Sequence, residues 1–163
     1  MSFLEILTNP NDNLREKSRL VSDEEIKSKE IQTLIDDMFE TMKKANGVGL
    51  AAPQVDQRLQ IIIVETKEGP QAFINPKIVS RSRHMTIGEE GCLSIPGYYG
   101  MVQRHTKVKV RAKNRQGEVV SMICDELPAV IFQHEIDHLD GILFIDRAES
   151  LHDITPEIED RLI

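Results

Sequence analysis

Apolar residues recur along this chain with two periods, and the switches between them mark out its elements. Ile31, Leu34, Ile35, Met38, Met42 and Ala45 fall three or four apart, which puts them on one stripe of a helix that covers a core. Asn46-Gly47 closes that helix, glycine being the usual residue where a chain turns left-handed. Upstream, Ser22-Asp23-Glu24-Glu25 has the form of a capping box. Asn9-Pro10-Asn11-Asp12 reads as a turn, with a short helix predicted over 14–18.

Beyond residue 47 the period changes. Residues 59–65 read as a buried strand, and 66–70 turn the chain into a second apolar stretch at 72–74. Asn75-Pro76 predicts a break before 77–81. The alternation Lys107-Val108-Lys109-Val110-Arg111 predicts a half-exposed strand, which Asn114-Arg115-Gln116-Gly117 turns into a partner over 118–124. Its lysines and arginines read as a solvated sheet face. A second helix begins near 125–128 and stops at Gly141. Ala129, Val130, Ile131, Phe132, Ile136 and Leu139 make it apolar on more than one face, so it is expected to be central and buried. Thr155-Pro156-Glu157 opens a last short, acidic helix.

Composition narrows the class. The chain has 163 residues, 40% hydrophobic and 29% charged, which suits one globular domain over 1–163. A net charge of −7 argues against nucleic-acid binding by the whole surface. Two cysteines without paired spacing, Cys92 and Cys124, fit a reducing compartment better than a disulfide framework. No basic region precedes an apolar run at the N-terminus, so no signal peptide is expected. The longest β-branched run, Ile61-Ile62-Ile63-Val64, is too short to span a bilayer. A cytoplasmic protein with no membrane partner is the expectation.

The chemistry concentrates in His134-Glu135-Ile136-Asp137-His138. Histidines four apart share a helix face and can reach one metal ion, with the intervening glutamate as proton carrier for a bound water. A buried helix with two histidines and several carboxylates is costly unless those groups are paired or metal-bound. The third ligand stays open on these grounds. A metzincin would carry a histidine where this chain has Phe144. A thermolysin-like zinc endopeptidase would use a downstream glutamate, here Glu157 or Glu159. His84, His105 and His152 lack supporting context. Cys92 has the best setting, in a glycine-flanked loop bounded by Pro96-Gly97, although a buried inert thiol is the common fate of a lone cysteine. Residues 47–54 (GVGLAAPQ) read alone as a structural tight loop.

Three blocks together resemble the peptide deformylases: GVGLAAPQ at 47–54, EGCLS at 90–94 and HEIDHLDG at 134–141, in that family's order and approximate spacing. Ile6-Leu7, Pro10 and Leu14-Arg15 extend the likeness over nearly the whole length. With the element order, the resemblance implies an α+β fold, its antiparallel sheets packed around a central buried helix that carries HEIDH, with an N-terminal helix over the core. It implies that Cys92, His134 and His138 hold one divalent metal, commonly Fe(2+), with Zn(2+), Ni(2+) or Co(2+) as alternatives. The metal-bound hydroxide would attack the formyl carbon of N-formylmethionyl nascent peptides, releasing formate. Glu135 would act as general base and acid, while Gln54 and the Leu93 backbone N–H stabilise the oxyanion. Val48, Gly49 and Leu50 would line the methionine pocket. Asp137 or a backbone carbonyl is expected to orient a liganding histidine. A non-catalytic metal-stabilised domain is the third reading of the same residues.

Two departures from the family pattern bear on partners. Tyr98-Tyr99-Gly100 stands where many relatives carry arginine or another polar residue, which changes the contacts expected beyond the methionine. The family also implies weak association with the ribosome. Many bacterial members dock through a longer basic helix, whereas this tail is acidic, with Glu149, Asp153, Glu157, Glu159 and Asp160.

Overall fold

A computed structural model describes residues 2–154. The predicted last helix, with Glu157 and Glu159, lies outside the described residues. Among the described residues three α-helices, α1 (Asp23–Ile26), α2 (Lys29–Lys44) and α3 (Glu126–Leu139), combine with two antiparallel sheets. The larger sheet runs in the order β1 (Gly49–Ala51), β2 (Ile61–Thr66), β3 (Gly69–Arg81), β6 (Lys107–Lys113) and β7 (Val119–Asp125). The smaller runs β4 (Met85–Cys92), β5 (Ile95–His105) and β8 (Ser150–Asp153). This is the α+β arrangement that the sequence predicts. Among the described residues no helix is long and apolar enough to cross a membrane.

The two helical stripes explain the layering. On one face of the larger sheet, Ile31, Ile35, Met38 and Met42 of α2 pack against Ile61, Ile63, Ala72 and Ile74. On the other, Ala129, Ile131, Phe132 and Leu139 of α3 pack against Ile62, Val64, Phe73, Val108 and Val110. Each fully buried side chain of this size contributes roughly 1.5–3 kcal/mol of transfer free energy. Because β2 is covered on both faces, its residues read as an unbroken apolar run rather than an alternation. Beneath the smaller sheet, Leu14, Ile95, Val102, Leu143 and Phe144 form a third cluster. α3 also contacts β5, so it lies between the two sheets.

Caps and breaks follow local chemistry with four corrections. The capping box is formed, Ser22 accepting from Glu25 N while the Glu25 side chain accepts from Ser22 N, but it starts only the short α1. The long helix has its own cap at Ser28. The left-handed residue that ends α2 is Asn46 (φ 54°), not Gly47. The expected break at Asn75-Pro76 is a bulge inside one continuous strand, with the register shifting between Ile74 and Lys77. Asn75 takes the strained conformation there (φ 50°) and its amide bridges both Val21 N and Val21 O. Proline is tolerated in a sheet at such a bulge. The predicted short helix at 14–18 is instead a 3-10 turn over Asp12–Arg15. Gly141 does end α3, with φ 72°, and a Cβ there would collide with the Arg15 carbonyl.

The largest departure is the segment read as a loop around Cys92. It is an antiparallel hairpin, β4 to β5, in which Cys92 pairs with Ile95 across the turn at Leu93-Ser94.

Candidate metal centre

α3 presents His134, Glu135 and His138 toward the tip of the β4–β5 hairpin. One donor atom from each of Cys92, His134 and His138 lies within 4.8 Å of the others. Cys92 Sγ is 3.3 Å from His138 Nε2. A thiol and two imidazoles converging in this way could hold one divalent ion, and the set suits zinc, iron(II), nickel or cobalt better than the hard ions. Cys124, by contrast, is a buried strand residue in the α3 core, as its apolar surroundings predict.

The electrostatics fit a cation. Burial opposes protonation of His134, but Cys92, Glu90 and Glu135 outweigh it and push its pKa well above the ordinary value. The surroundings therefore favour positive charge at that corner. His138 is driven the other way, by burial and then by His134, so its imidazole stays neutral. Burial pushes Glu135 up to about 7, and its buried Oε2 has no hydrogen-bond partner among the described residues. A buried carboxylate oxygen with no protein partner among the described residues, beside three converging donors, is placed to accept a proton.

Sequence reasoning gave Asp137 or a backbone carbonyl as the group that orients a liganding histidine. The structure instead places Glu90 there, its Oε1 accepting from His134 Nδ1 at 2.8 Å. Burial disfavours ionised Glu90, yet hydrogen bonds from His134 and Arg104 prevail and hold its pKa at about 2. Arg104 donates to both Glu90 oxygens, at 2.9 and 3.0 Å, and to Asp137 at 2.7 Å. Glu90 opens the EGCLS block two residues before Cys92, but only the β4–β5 pairing, which the sequence does not show, brings it to His134. Nothing local marks Arg104.

Gln54 sits on the 3-10 turn Ala52–Val55, almost fully buried. Its Oε1 accepts from Ala51 N at 2.9 Å, which turns the NH2 group toward Ser94 Oγ at 3.0 Å and Cys92 Sγ at 3.6 Å. Leu93 occupies the hairpin turn beside Cys92 and packs against the α2 core. Gly49 backs onto Glu135, where any Cβ would collide with the carboxylate. The residues read as a tight loop thus include an edge strand, β1, whose lack of side chain at Gly49 makes room for the glutamate.

A cavity of about 470 Å³ opens in front of these groups, within the range of small-ligand sites. Val48, Gly49, Gln54, Cys92, Leu93, His134 and Glu135 line it together with Leu127, Val130, Ile131 and the two tyrosines Tyr98 and Tyr99. The Leu50 side chain does not line the cavity. It is fully buried in the core under α2, because successive strand residues face opposite sides.

Comparison with known proteins adds a family. The sequence profile of the polypeptide deformylases matches residues 3–153. Peptide deformylase 2 of Nostoc sp. is 44% identical over 172 residues, covering 99% of this chain and 95% of its own. Peptide deformylase 1 of Vibrio vulnificus is 47% identical over 155 residues, covering 93% and 89%. The structure superposes, with a TM-score of 0.85 and 39% identity, on Met-Ala-Ser-bound class I type b peptide deformylase from Acinetobacter baumannii, covering 90% of this chain and 98% of that one.

Proposed function

The chain belongs to the polypeptide deformylase family, and we propose that it hydrolyses the N-formyl group from formylmethionine at the start of newly made polypeptides, releasing formate. The observation that carries this reading is the convergence of Cys92, His134 and His138 beside Glu135, at the wall of an apolar cavity. Cys92, His134 and His138 would hold one divalent metal, with Fe(2+) the expected ion. When bound, that ion lowers the pKa of water toward about 7 and so supplies a nucleophile at neutral pH.

The chain's own residues do the rest. Val48 and Gly49 form one wall for the methionine side chain, and the edge strand β1 offers its free side to the substrate backbone as an added strand. Glu135 removes a proton from the attacking water as its oxygen bonds to the formyl carbon. The negative charge that develops on the formyl oxygen is met by the Gln54 NH2 group and the Leu93 backbone N–H. Such donors are worth roughly 3–4 kcal/mol each in comparable sites. Glu135 then returns its proton to the amine nitrogen as the C–N bond breaks, leaving formate and a free methionyl N-terminus. The work is placed in the cytoplasm, where formylated nascent chains arise.

The ligand assignment is tested by Cys92→Ala. Metal analysis of the purified variant is expected to show loss of the bound ion and, with it, of formate release. Stoichiometric metal retained without the thiol would contradict the assignment.

A further inference from the structure

Buried ions are stable only in company, so a buried ion pair raises the question of where its chain of partners ends. From Glu90 the chain runs outward through four groups of alternating sign. Glu90 and Arg104 are almost fully buried, with side chains 6% and 5% exposed. Asp137, reached by Arg104 Nη1 at 2.7 Å, is 14% exposed. The last link is Arg147, whose Nε and Nη2 clasp both Asp137 oxygens at 2.7 and 2.8 Å while the side chain is 43% exposed. Arg147 follows the 3-10 turn Phe144–Asp146, beyond the end of α3. The segment after the helix therefore folds back and grips it at Asp137, about one turn beyond His134.

Arg104 is shared between two carboxylates. If Asp137 lost its second cation, it would draw Arg104 toward itself and away from Glu90. The hydrogen bond that fixes His134 Nδ1, and with it the direction of Nε2, would then loosen. We infer that Arg147 is a positioning residue for His134, acting through Asp137, Arg104 and Glu90, and that it sets how tightly the centre retains its metal. The inference rests on reading His134 as a ligand. Partners beyond the ligands commonly change metal affinity by about 10–100-fold. With three residues between Arg147 and His134 the effect belongs at the lower end.

The experiment follows zinc release from loaded protein into excess chromophoric chelator. Arg147→Met is expected to release zinc about tenfold faster than wild type, and Arg147→Lys, which keeps the charge but not the fork, to fall between them. The decisive comparison adds Glu90→Gln, a change that keeps the hydrogen-bonding shape but removes the charge. If Arg147 acts through Glu90, the double variant releases zinc no faster than Glu90→Gln alone. Wild-type release from Arg147→Met, or fully additive effects in the double variant, would overturn the inference. His134→Ala separates the two levels. If it still holds zinc, the ligand reading itself fails, and this inference with it. If it loses zinc while Arg147→Met behaves as wild type, only the inference fails.

Discussion

Glu90 and His134, 44 residues apart in sequence, are joined by one hydrogen bond of 2.8 Å from His134 Nδ1 to Glu90 Oε1. Because Glu90 stays ionised down to about pH 2, it can only accept here. Nδ1–H is therefore held by Glu90, and Nε2 is the nitrogen left for a ligand role.

Replacing Glu90 by alanine removes that hydrogen bond and leaves the buried Arg104 with Asp137 as its carboxylate partner. Metal affinity is expected to fall about 10–100-fold. Stability should also drop, by less than the about 3–5 kcal/mol that a wholly unpaired buried charge costs, because Asp137 still pairs with Arg104. Competitive metal titration and chemical denaturation measure the two separately.

Gly49→Ala tests the close approach of β1 to α3. A methyl group at that position collides with the Glu135 carboxylate, and a displacement near 1 Å of a catalytic group costs about 100-fold in rate. The expected variant binds metal normally but loses about that much kcat/KM. An unchanged rate would show that Glu135 has other room to work.

Gln54→Ala removes an amide donor whose direction is set by Ala51 N. The expected loss is about 100- to 1,000-fold in kcat with metal content unchanged, as for other oxyanion donors. A change in KM alone would instead make Gln54 a binding group.

Much of this was legible in the sequence wherever one residue's neighbours along the chain decide its state. The stripe from Ile31 to Met42, the hairpin from Lys107 to Cys124 and the helix carrying His134 and His138 are local patterns, and all three form. The β4–β5 hairpin was missed because Thr86, Ile87, Gly88 and Glu89 are all exposed and show no alternation. Its strands are fixed by pairing with each other and, for β5, with β8. The GVGLAAPQ, EGCLS and HEIDHLDG blocks marked the candidate site, but not the network behind it. Arg104 is a lone arginine in a strand until Glu90 and Asp137 arrive from elsewhere in the chain. Leu50 shows the converse limit: its place in a site-forming block said nothing about which side of β1 it faces.

Glu25 supplies a test by pH. Its hydrogen bond from Arg19, then that from Ser22 N, lower its pKa from the ordinary 4.5 to about 2. A carboxylate with a depressed folded pKa adds stability above its unfolded value, and that stability is lost as pH falls through the folded one. Glu25→Gln should therefore flatten the loss of stability between pH 4.5 and 2 and leave its slope near pH 7 unchanged. Urea midpoints across that range check it. Parallel curves for the two proteins would contradict the lowered pKa that Arg19 and Ser22 N give Glu25.

The most direct measurement is formate release from a formyl-Met peptide by protein purified without oxygen and assayed beside its Glu135→Gln variant. Metal content is measured on the same samples. The account predicts steady formate production by the wild type. It also predicts a variant that keeps its metal and loses at least about 100-fold in rate, the scale of a positioned acid–base group. A metal-loaded wild-type protein that releases no formate, or a Glu135→Gln variant as fast as wild type, would contradict it.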